Sequence, residues 1–543
     1  MSETHIGIDF DNTLACFDEV FVRIAHDYKV LPFGWDGGKP ALRNFLRSKK
    51  GGEETWQLLQ GQVYGRLMHQ AQLKPGAGWF LLRCKARGLR VSVVSHKTQF
   101  SPKDPQKIRL RDVALEWMTR NGFFDPSRFG ISQDAVYFEG TRQEKVRRIV
   151  SLGCTHFIDD LAEVFDEKDF PPKVQKILFS VESFENDTLK EASACSSWTS
   201  IGNAILGQET KQDLISIAKT VLPDAQISAC YRIKCGGNSA VYQIHIRDGE
   251  SLALKRYPVV PGDKRDRLYS EVAACRFLRE NGIDQVPFVV RTDKANQLAA
   301  FEWIHGDLLD MPNYSHLTHL IEFVRKLDSL REVEAANQLL PASEACFSGK
   351  DVCHQIQLRR GRLGQLKIEC DRLFSFLSQE FDPVFVRAAD WAQHHWPHRQ
   401  RFDEDLPTIY RTLSPSDLGF HNALWERRGV LRIIDLEYFG WDDPVKLASD
   451  FCWHPGMALD QKMRNQWIAK LTDIYARDKS FLIRLRAAHP LYGLRWAMIV
   501  LNSFAASQVT TPATVEGRRG QLRKSMDLCR RVALWMQDEN SSF

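Results

Sequence analysis

The sequence lacks the features that place a protein in or across a membrane. Its most apolar helix candidate, at residues 496–504, is broken by polar residues and is far shorter than the ~20 apolar residues that a bilayer-spanning helix needs. Residues 1–4 lead directly into an apolar strand pattern, which predicts that there is no secretory leader. We therefore expect a cytoplasmic protein that does not interact with membranes.

Paired cysteines and a strong net charge are also missing. The 12 cysteines are scattered without the spacing of a structural zinc site, as is typical of reduced cytosolic thiols. The 73 Lys and Arg residues against 68 Asp and Glu residues give a net charge of +5. That excess is too small at this length to indicate nucleic-acid binding, although it suits anionic, phosphorylated ligands. The sequence contains no repeat and no long low-complexity segment.

The composition is that of an ordinary globular protein, with 43% hydrophobic and 26% charged residues. At about 150 residues per domain, a length of 543 residues predicts three or four compact units, or two if the domains are larger. Residues 207–213 are polar and lack apolar periodicity, which indicates a domain boundary. We predict a domain at 1–207, a linker or helix at 208–227, and a second domain at 228–543. No oligomeric state is predicted.

Apolar strand patterns alternate with helical patterns through the first domain. The strands are expected at residues 6–10, 89–94, 135–138, 155–158 and 176–179. This alternation predicts a doubly wound α/β domain with a parallel sheet. The helical patterns between the first two strands predict a small helical cap at about 15–87.

Chemically active side chains follow these strands or lie on the helices between them. Asp9 and Asp11 follow the first strand and suit a nucleophile and an acid/base around one metal ion. Ser95 follows the second strand and suits a phosphate oxygen, and Lys145 lies on a helix from which it can neutralise phosphate. Asp159 and Asp160 follow a later strand and can complete a magnesium site.

With these residues in this order, residues 1–207 resemble a haloacid dehalogenase-superfamily phosphatase. The resemblance implies that Asp9 is the aspartyl nucleophile, Asp11 the general acid/base, and Ser95 and Lys145 the phosphate-binding pair. It also implies a metal site with Asp159 or Asp160, of which we favour Asp160. The cap would select the substrate, and the candidates for this role are Phe17, Asp18, Trp35 and Trp56. For the three aromatic residues, packing in the core is the favoured alternative.

The second half begins with a pattern suited to nucleotide phosphates. The glycine-bearing turn between two strand patterns consists of Gly236, Gly237, Asn238 and Ser239. Glycine lets backbone N–H groups approach phosphates closely. Lys255 ends the next strand pattern, and Glu271 on the following helix is its expected partner, as in kinases. Glu302 lies in the strand pattern at 298–304, which leads to an expected adenine-contacting hinge and ends at His305-Gly306.

A second set of polar residues lies near residue 420. Asp417 is followed five positions later by Asn422, and Asp435 ends a short apolar strand. Phosphoryl transfer from magnesium ATP requires a base for the hydroxyl proton and an amide and a carboxylate for the metal. These three residues provide that set.

In this order the motifs of residues 228–543 resemble the aminoglycoside phosphotransferase and choline kinase group, which phosphorylates small molecules. The segment Asp435-Leu436-Glu437 to Asp443-Pro444 is similar to that group's signature, and no activation-loop motif of protein kinases is present. The resemblance implies an α+β bilobal kinase-like fold (lobes 228–306 and 307–543). It also implies that Asp417 is the base, that Asn422 and Asp435 hold Mg²⁺, and that Lys255 orients ATP. The family's His-Gly-Asp is here Pro415-Ser416-Asp417, so its histidine is missing, and His421 is a possible substitute.

Three functions remain open from the sequence. The first is a bifunctional enzyme that uses Mg²⁺ and ATP, with a phosphatase and a kinase acting on small phosphorylated or hydroxylated molecules. The second is nucleic-acid end processing by a 3′-phosphatase and a 5′-kinase, which the mild charge argues against. The third is one active domain joined to a sensor or assembly module, which the complete residue sets in both halves argue against.

Overall fold

The computed structural model describes residues 3–32, 35, 37–101, 107–180, 193–233, 239–247, 249–259, 263, 265–309, 311–364, 370–398, 400–457, 459–505 and 512–537. The chain packs as two compact units. The first consists of Met1–Asp263 with Val290–Phe301, and the second of Lys264–Val289 with Glu302–Phe543. The predicted domain ranges, 1–207 and 228–543, divide the chain differently and remain predictions.

The first unit contains a six-stranded parallel sheet in the order β5-β4-β1-β6-β7-β8. Its strands are β1 (His5–Ile8), β4 (Arg90–His96), β5 (Val136–Glu139), β6 (His156–Asp159), β7 (Gln175–Phe179) and β8 (Ser193–Cys195), while β2 (Ala15–Cys16) and β3 (Gln72–Leu73) form a separate antiparallel pair. The strand order runs in opposite directions on the two sides of β1. Ligands bind at such a switch point in open α/β sheets, at the carboxyl ends of the strands. A mixed α/β architecture with a parallel sheet is therefore present, as predicted.

Helices connect the strands of this sheet. They are α1 (Asp18–Asp27), α2 (Lys39–Arg47), α3 (Gly52–Tyr64), α4 (Ala77–Ala86), α5 (Leu110–Arg120), α6 (Arg142–Leu152), α7 (Ala162–Phe165), α8 (Trp198–Leu206) and α9 (Lys211–Val221). The first three helices lie in the predicted cap. Their apolar faces are buried, with Phe21, Leu46 and Leu59 each at most 3% exposed.

A second sheet of the same unit has five strands in the order β12-β13-β11-β10-β9. The strands are β9 (Ile227–Ile233), β10 (Ala240–Ile246), β11 (Ser251–Arg256), β12 (Val289–Asp293) and β13 (Leu298–Glu302). Its buried residues Tyr242 and Ile244 belong to the same hydrophobic core cluster as Ile6 and Ile8 of β1. The parallel sheet and the second sheet therefore share one core.

Polar contacts reinforce the packing between these two sheets. Glu209 accepts hydrogen bonds from Trp79 Nε1 at 2.8 Å and from the Tyr242 hydroxyl at 3.2 Å. The Arg256 guanidinium stacks 4.2 Å from the Trp79 ring and lies 3.7 Å from Glu209. Arg256, which directly follows Lys255, is thus fixed against helix α4.

Helix α9, in the segment predicted as a linker or helix, packs into this core. Its residues Leu214, Ile217 and Ala218 are buried at the helical spacing of three to four. Asp213, which is fully buried, closes a capping box with Thr210 and accepts hydrogen bonds from Arg83 and Arg87 of the α4 segment. Residues 211–221 are therefore a structural helix of the first unit.

The second unit is mainly helical. Its helices are α10 (Arg267–Glu280), α11 (Tyr314–Ser329), α12 (Gly349–Gly364), α13 (Asp371–Ser375), α14 (Asp382–His394), α15 (Pro444–Trp453), α16 (Gln461–Ile474), α17 (Phe481–Val500), α18 (Asn502–Ala505) and α19 (Pro512–Trp535). Its strands form a three-stranded sheet of β14 (Gly306–Leu308), β16 (Ala423–Glu426) and β17 (Leu431–Ile433), and a pair of β15 (Thr412–Ser414) and β18 (Gly440–Asp442). Across the described ranges, no helix has both the length and the apolar content required to cross a membrane.

Candidate active sites

The first site lies at the carboxyl edge of the parallel sheet. Strands β1, β4 and β6 are neighbours there, and they carry or are directly followed by Asp9, Ser95 and Asp159. The backbone N–H of Asp9 donates to the Ile158 carbonyl at 2.9 Å, which fixes the end of β1 against β6. Ser95 is 1% exposed within β4. The sheet thus brings together residues that lie up to 150 positions apart in the sequence.

Lys145 joins two carboxylates of this site. Its Nζ lies 2.5 Å from Asp9 Oδ1 and 2.6 Å from Asp159 Oδ2, and the lysine is 1% exposed. Lys145 lies in the first turn of α6, which a capping box of Thr141 and Glu144 begins. The capping box at the start of α6 therefore fixes the position from which Lys145 reaches the strand ends.

The carboxylates of this site carry more negative charge than Lys145 balances. Asp9, Asp159 and Asp160 have oxygen atoms within 4.8 Å of one another. Burial raises the pKa of Asp9 to about 8, and burial together with the charge of Asp159 raises the pKa of Asp160 to about 7. Burial opposes the charge of Lys145, but the carboxylates of Asp159 and Asp9 raise its pKa. The raised pKa values show that three ionised carboxylates are unfavourable here beside a single lysine. Their close oxygens fit a divalent cation such as Mg²⁺, which would favour the ionised forms.

Asp11 has a different partner from Asp9. Both of its oxygens lie 2.8 Å from Lys97 Nζ, and Lys97 is only 4% exposed. Lys97 is thus paired with the side chain predicted to be the general acid/base.

The loop after Asp9 is held by polar contacts on both sides. Asn12 has a φ of +63°, a left-handed conformation that asparagine tolerates better than most residues. The Thr13 hydroxyl donates to Asp160 Oδ1 at 3.2 Å, and Trp198 Nε1 donates to the Thr13 carbonyl at 3.0 Å. The loop geometry therefore depends on a tryptophan of helix α8.

The aromatic residues suggested for substrate contact in the cap pack elsewhere. Phe17 is fully buried against Tyr64, and Trp56 is 3% exposed and stacks on Phe21. Asp18 lies 3.6 Å from Lys74, and the Trp35 indole N–H donates to the Gly37 carbonyl at 2.6 Å. Phe17 and Trp56 are thus core residues, which was the alternative that the sequence left open.

The second site is built on the hairpin of β16 and β17. Ala423 pairs with Ile433 in this hairpin, so the residues just outside it, Asn422 and Asp435, lie at the same end. The Ile434 backbone N–H donates to the Asn422 carbonyl at 2.9 Å. Asp435 has a φ of +64°, in the left-handed region. A short-range pairing thus positions the two predicted magnesium ligands.

Asp417 is held by both neighbours that the sequence pointed to. Asn422 Nδ2 lies 3.0 Å from the Asp417 carbonyl and 3.4 Å from its Oδ2, and His421 Nε2 lies 3.3 Å from Oδ1. Burial disfavours ionisation of Asp417, but the hydrogen bonds from His421 and Asn422 and the nearby imidazoles hold its pKa below the ordinary value. Asp417 is therefore ionised at neutral pH, as a base that accepts a hydroxyl proton must be.

A buried lysine contacts the loop where the family histidine is missing. Lys446 is fully buried, and its Nζ donates to Ser416 Oγ at 2.8 Å while contacting Asp442 at 2.9 Å and Asp450 at 3.2 Å. Ser416 has a φ of +65° and donates from its hydroxyl to the Ser343 carbonyl at 3.2 Å. Sequence reasoning missed Lys446, although its position midway between two aspartates four residues away on each side was a visible signal.

A second carboxylate cluster forms around Asp435. Glu271, Asp435 and Glu437 have oxygens within 4.8 Å of one another, and Glu271 and Glu437 are at most 3% exposed. Arg267 lies 3.6 Å from Glu437. The sequence predicts Glu271 as the partner of Lys255, whereas here its carboxylate lies close to those of Asp435 and Glu437. This oxygen cluster also fits a divalent cation.

Some of the predicted nucleotide-binding residues are in the first unit. Gly236, Gly237 and Asn238 lie outside the described residues, whereas Ser239 lies just before β10. Lys255 is 6% exposed in β11, with its Nζ 5.0 Å from the Tyr257 ring centroid. The predicted pairing of Lys255 with Glu271 joins residues of the two units and remains a prediction.

Glu302, Arg359 and Arg360 have partners of opposite charge. The Glu302 side chain pairs with Arg432, which also lies 2.9 Å from Glu426. Arg359 pairs with Glu344, and Arg360 makes two contacts of 2.9 Å with Asp382. These two arginines are therefore engaged in ion pairs within the unit.

Two aromatic residues of the C-terminal region, His454 and Trp496, lie beside the Asp417 loop. The His454 ring stacks on His421 at 4.1 Å and contacts the Trp496 ring at 4.6 Å. Burial, together with the charge of His421, lowers the pKa of His454 to about 4, so it is neutral. Trp453 is 4% exposed and packs against His489. Arg495 is paired with Asp450 and Glu344.

Comparisons with known proteins give matches among solved structures only. No family model matches the chain, and no curated protein matches it. A spectinomycin phosphotransferase in complex with ADP and spectinomycin is similar at 14% identity, covering 60% of this chain and 99% of that chain, with a TM-score of 0.45. The choline kinase of Cryptosporidium parvum is 15% identical, covering 59% and 93%, with a TM-score of 0.38. The ethanolamine kinase of Plasmodium vivax is 12% identical, covering 60% and 91%, with a TM-score of 0.40.

These neighbours are phosphotransferases and kinases, the class that the motifs of residues 228–543 resemble. Because their TM-scores are below 0.5, they carry no argument about the activity of this chain.

Proposed function

We propose that the chain is a bifunctional magnesium-dependent enzyme, with a phosphatase site at Asp9 and a small-molecule kinase site at Asp417. The observation that carries this proposal is the presence of two separate carboxylate clusters, Asp9-Asp159-Asp160 and Glu271-Asp435-Glu437. Each cluster lies beside the reactive side chain that its motif predicts. Asp9 is itself in the first, and Asp417 contacts Asn422, which shares a hairpin end with Asp435.

In the phosphatase reaction, the Asp9 carboxylate attacks phosphorus and the bond from phosphorus to the ester oxygen breaks. Asp11 gives its proton to the departing alcohol oxygen. Water then attacks the phosphorus of the aspartyl phosphate, and Asp11 takes up the proton of that water. The bond from phosphorus to the Asp9 oxygen breaks, which restores the Asp9 carboxylate and releases inorganic phosphate. Lys145 holds Asp9 and Asp159 in place. The family resemblance assigns the contact with the phosphate group to Ser95.

In the kinase reaction, the hydroxyl of a sugar, polyol or related metabolite attacks the γ-phosphorus of ATP. Asp417 takes the hydroxyl proton, and the bond from the γ-phosphorus to the ADP oxygen breaks. His421 and Asn422 orient the Asp417 carboxylate. Lys255 and the turn at 236–239 are assigned to the ATP phosphates by the family resemblance.

Bound Mg²⁺ would neutralise charge on phosphate oxygens at both sites. In the first site Asp9 and Asp160 would hold it, because both Asp159 oxygens are already engaged, by Lys145 and by the Leu161 N–H. Among the residues that the structure describes, Asp160 accepts a single hydrogen bond, from Thr13. In the second site Asn422 and Asp435 are the proposed ligands.

The pairing of the two reactions restricts their substrates. If both sites acted on the same position of the same metabolite, the net reaction would be ATP hydrolysis alone. We therefore propose that they act on different positions of one molecule or in consecutive steps. Activation of a sugar or polyol is the setting that this pairing fits.

Release of inorganic phosphate tests the first site. We expect the wild type to hydrolyse p-nitrophenyl phosphate or members of a sugar-phosphate panel in the presence of Mg²⁺, and Asp9→Asn to lose that activity by at least about 10³-fold. The matched control is Asp27→Asn, since Asp27 is exposed at the end of α1. Equal activity of Asp9→Asn and the control would refute the phosphatase assignment.

ATP-dependent mass gain of sugars and polyols tests the second site. We expect Asp435→Asn to lose phosphoryl transfer, because it removes a metal-ligand charge beside the transferred group. Asp473→Asn is the control, since Asp473 is 66% exposed in a surface ion pair with Lys470. Transfer that survives Asp435→Asn at the control's rate would contradict the assignment.

A further inference from the structure

Lys39 reaches the loop of the first site from the predicted cap. It is the first residue of α2, and its Nζ contacts Asn12 Oδ1 closely and the Tyr64 hydroxyl at 3.2 Å. The ammonium also lies 4.8 Å from the centre of the Phe21 ring. Asn12 directly follows Asp11, so Lys39 lies beside the residue proposed to protonate the leaving group.

The other lysines near this loop are paired with carboxylates. Lys145 contacts Asp9 and Asp159, Lys97 contacts Asp11, and Lys74 lies 3.6 Å from Asp18. Within the described part of the chain, the hydrogen-bond partners of Lys39 are the neutral oxygens of Asn12 and Tyr64. Lys39 is thus a positive charge without a carboxylate partner at the phosphatase site.

A partly buried ammonium is costly unless an anion accompanies it. Burial lowers the pKa of Lys39, while the nearby carboxylates of Asp18, Asp160 and Asp11 raise it. None of these carboxylates lies within ion-pair distance of it. The positive charge of Lys39 can therefore pair with an anionic group of a ligand.

We propose that Lys39 binds a second anionic group of the substrate, on the leaving-group side of the ester. The preferred substrate class is then a phosphomonoester whose alcohol portion carries a carboxylate or a second phosphate. The position of Lys39 supports this role, because its Nζ contacts Asn12, the residue after the proposed general acid Asp11, whereas Lys145 contacts the proposed nucleophile Asp9. This inference rests on the proposed phosphatase function.

Three phosphoesters on one three-carbon scaffold test it. Glycerol 3-phosphate carries no second anion, 3-phosphoglycerate carries a carboxylate, and glycerol 1,3-bisphosphate carries a second phosphate. A hydrogen bond to a charged group contributes roughly 1.5–3 kcal/mol, which corresponds to about a 10- to 150-fold preference. We expect the wild-type kcat/KM to be higher for one or both doubly anionic substrates than for glycerol 3-phosphate by about that factor. The substrate with the higher kcat/KM shows whether Lys39 prefers a carboxylate or a phosphate.

Lys39→Met should reduce this ratio of kcat/KM values to within about threefold of one, and Lys39→Arg should retain part of it. Lys49→Met is the control, since Lys49 lies over the Phe45 ring at the end of α2 and should keep the wild-type ratio. Lys39→Arg preserves the charge if the methionine variant does not fold.

The outcomes separate this inference from the proposed function. Hydrolysis that Asp9→Asn abolishes, but without preference for a second anion, would overturn the role of Lys39 and leave the phosphatase intact. An unchanged ratio in Lys39→Met would overturn it as well. Absence of any hydrolysis that depends on Asp9 would refute the phosphatase itself, and this inference with it.

Discussion

Asp213 offers a sharp test of how helix α9 is joined to the first unit. Its side chain is fully buried and pairs with Arg83, which is 4% exposed, and with Arg87, which is 25% exposed. Removing one partner of a buried ion pair costs roughly 3–5 kcal/mol, because the other charge remains buried. The Arg87 guanidinium can be rehydrated in Asp213→Asn. We therefore expect the free energy of unfolding to fall by about 3 kcal/mol, near the lower end of that range.

Thermal unfolding measures this loss. One kcal/mol shifts Tm by roughly 2–4 °C for domains of 150–250 residues, so Asp213→Asn should lower the transition of the first unit by about 6–12 °C at pH 7. Asp112→Asn is the control, because its ion pair with Arg109 is 62% exposed on both sides. Exposed pairs contribute about 0.2–1 kcal/mol, so the control should shift by less than about 4 °C.

The pH dependence of this difference has a defined sign. Burial raises the pKa of Asp213, but hydrogen bonds from Arg87 and the Thr210 N–H outweigh it and lower the pKa below the unfolded value. The stabilisation is then fully present above the ordinary carboxyl pKa and is lost as the pH falls through the lowered value. The Tm gap between wild type and Asp213→Asn should narrow only at acid pH. A Tm shift no larger than that of Asp112→Asn at pH 7 would refute the structural role of Asp213.

Three further predictions concern the two sites. Ser416→Ala removes the hydroxyl that accepts a hydrogen bond from Lys446. We expect the kcat of phosphoryl transfer to fall about 5- to 10-fold, with the KM for ATP unchanged. A wild-type kcat would contradict a role of this contact in catalysis. Trp198→Phe removes the donor to the Thr13 carbonyl, so phosphate release should slow by a similar factor while ATP consumption by the same preparation stays constant. Chelation with EDTA should abolish both activities and added Mg²⁺ restore them, whereas an activity that survives full chelation would exclude a metal role for its carboxylate cluster.

Much of the first site could be predicted because its residues follow local patterns. An apolar strand that ends in an acid places Asp9 at a sheet edge, and the Thr141 to Glu144 spacing signals the helix start that positions Lys145. Parallel pairing then brings these strand ends together without further information. What the structure adds is the contact partners, such as Lys97 for Asp11, whose choice depends on side-chain packing.

The contacts between distant segments could not be predicted. Lys446 lies 30 residues from Ser416, and nothing in either local pattern indicates that they meet. Likewise, aromatic residues such as Phe17 and Trp56 can either contact a ligand or pack in a core. Only the packing of the first helices shows that these two are buried. A helix is expected within the segment 208–227, but the sequence leaves open which domain it joins. Only the packing of α9, which buries Leu214 and Ile217 in the shared core, assigns it to the first unit.

The central claim is that one chain carries two independent sites, and a crossed assay of two variants tests it most directly. Phosphate release from a phosphomonoester and ATP-dependent phosphorylation are measured on Asp9→Asn and on Asp417→Ala. We predict that Asp9→Asn loses the first activity and keeps the second, and that Asp417→Ala does the reverse. Loss of both activities from either single substitution would contradict the account.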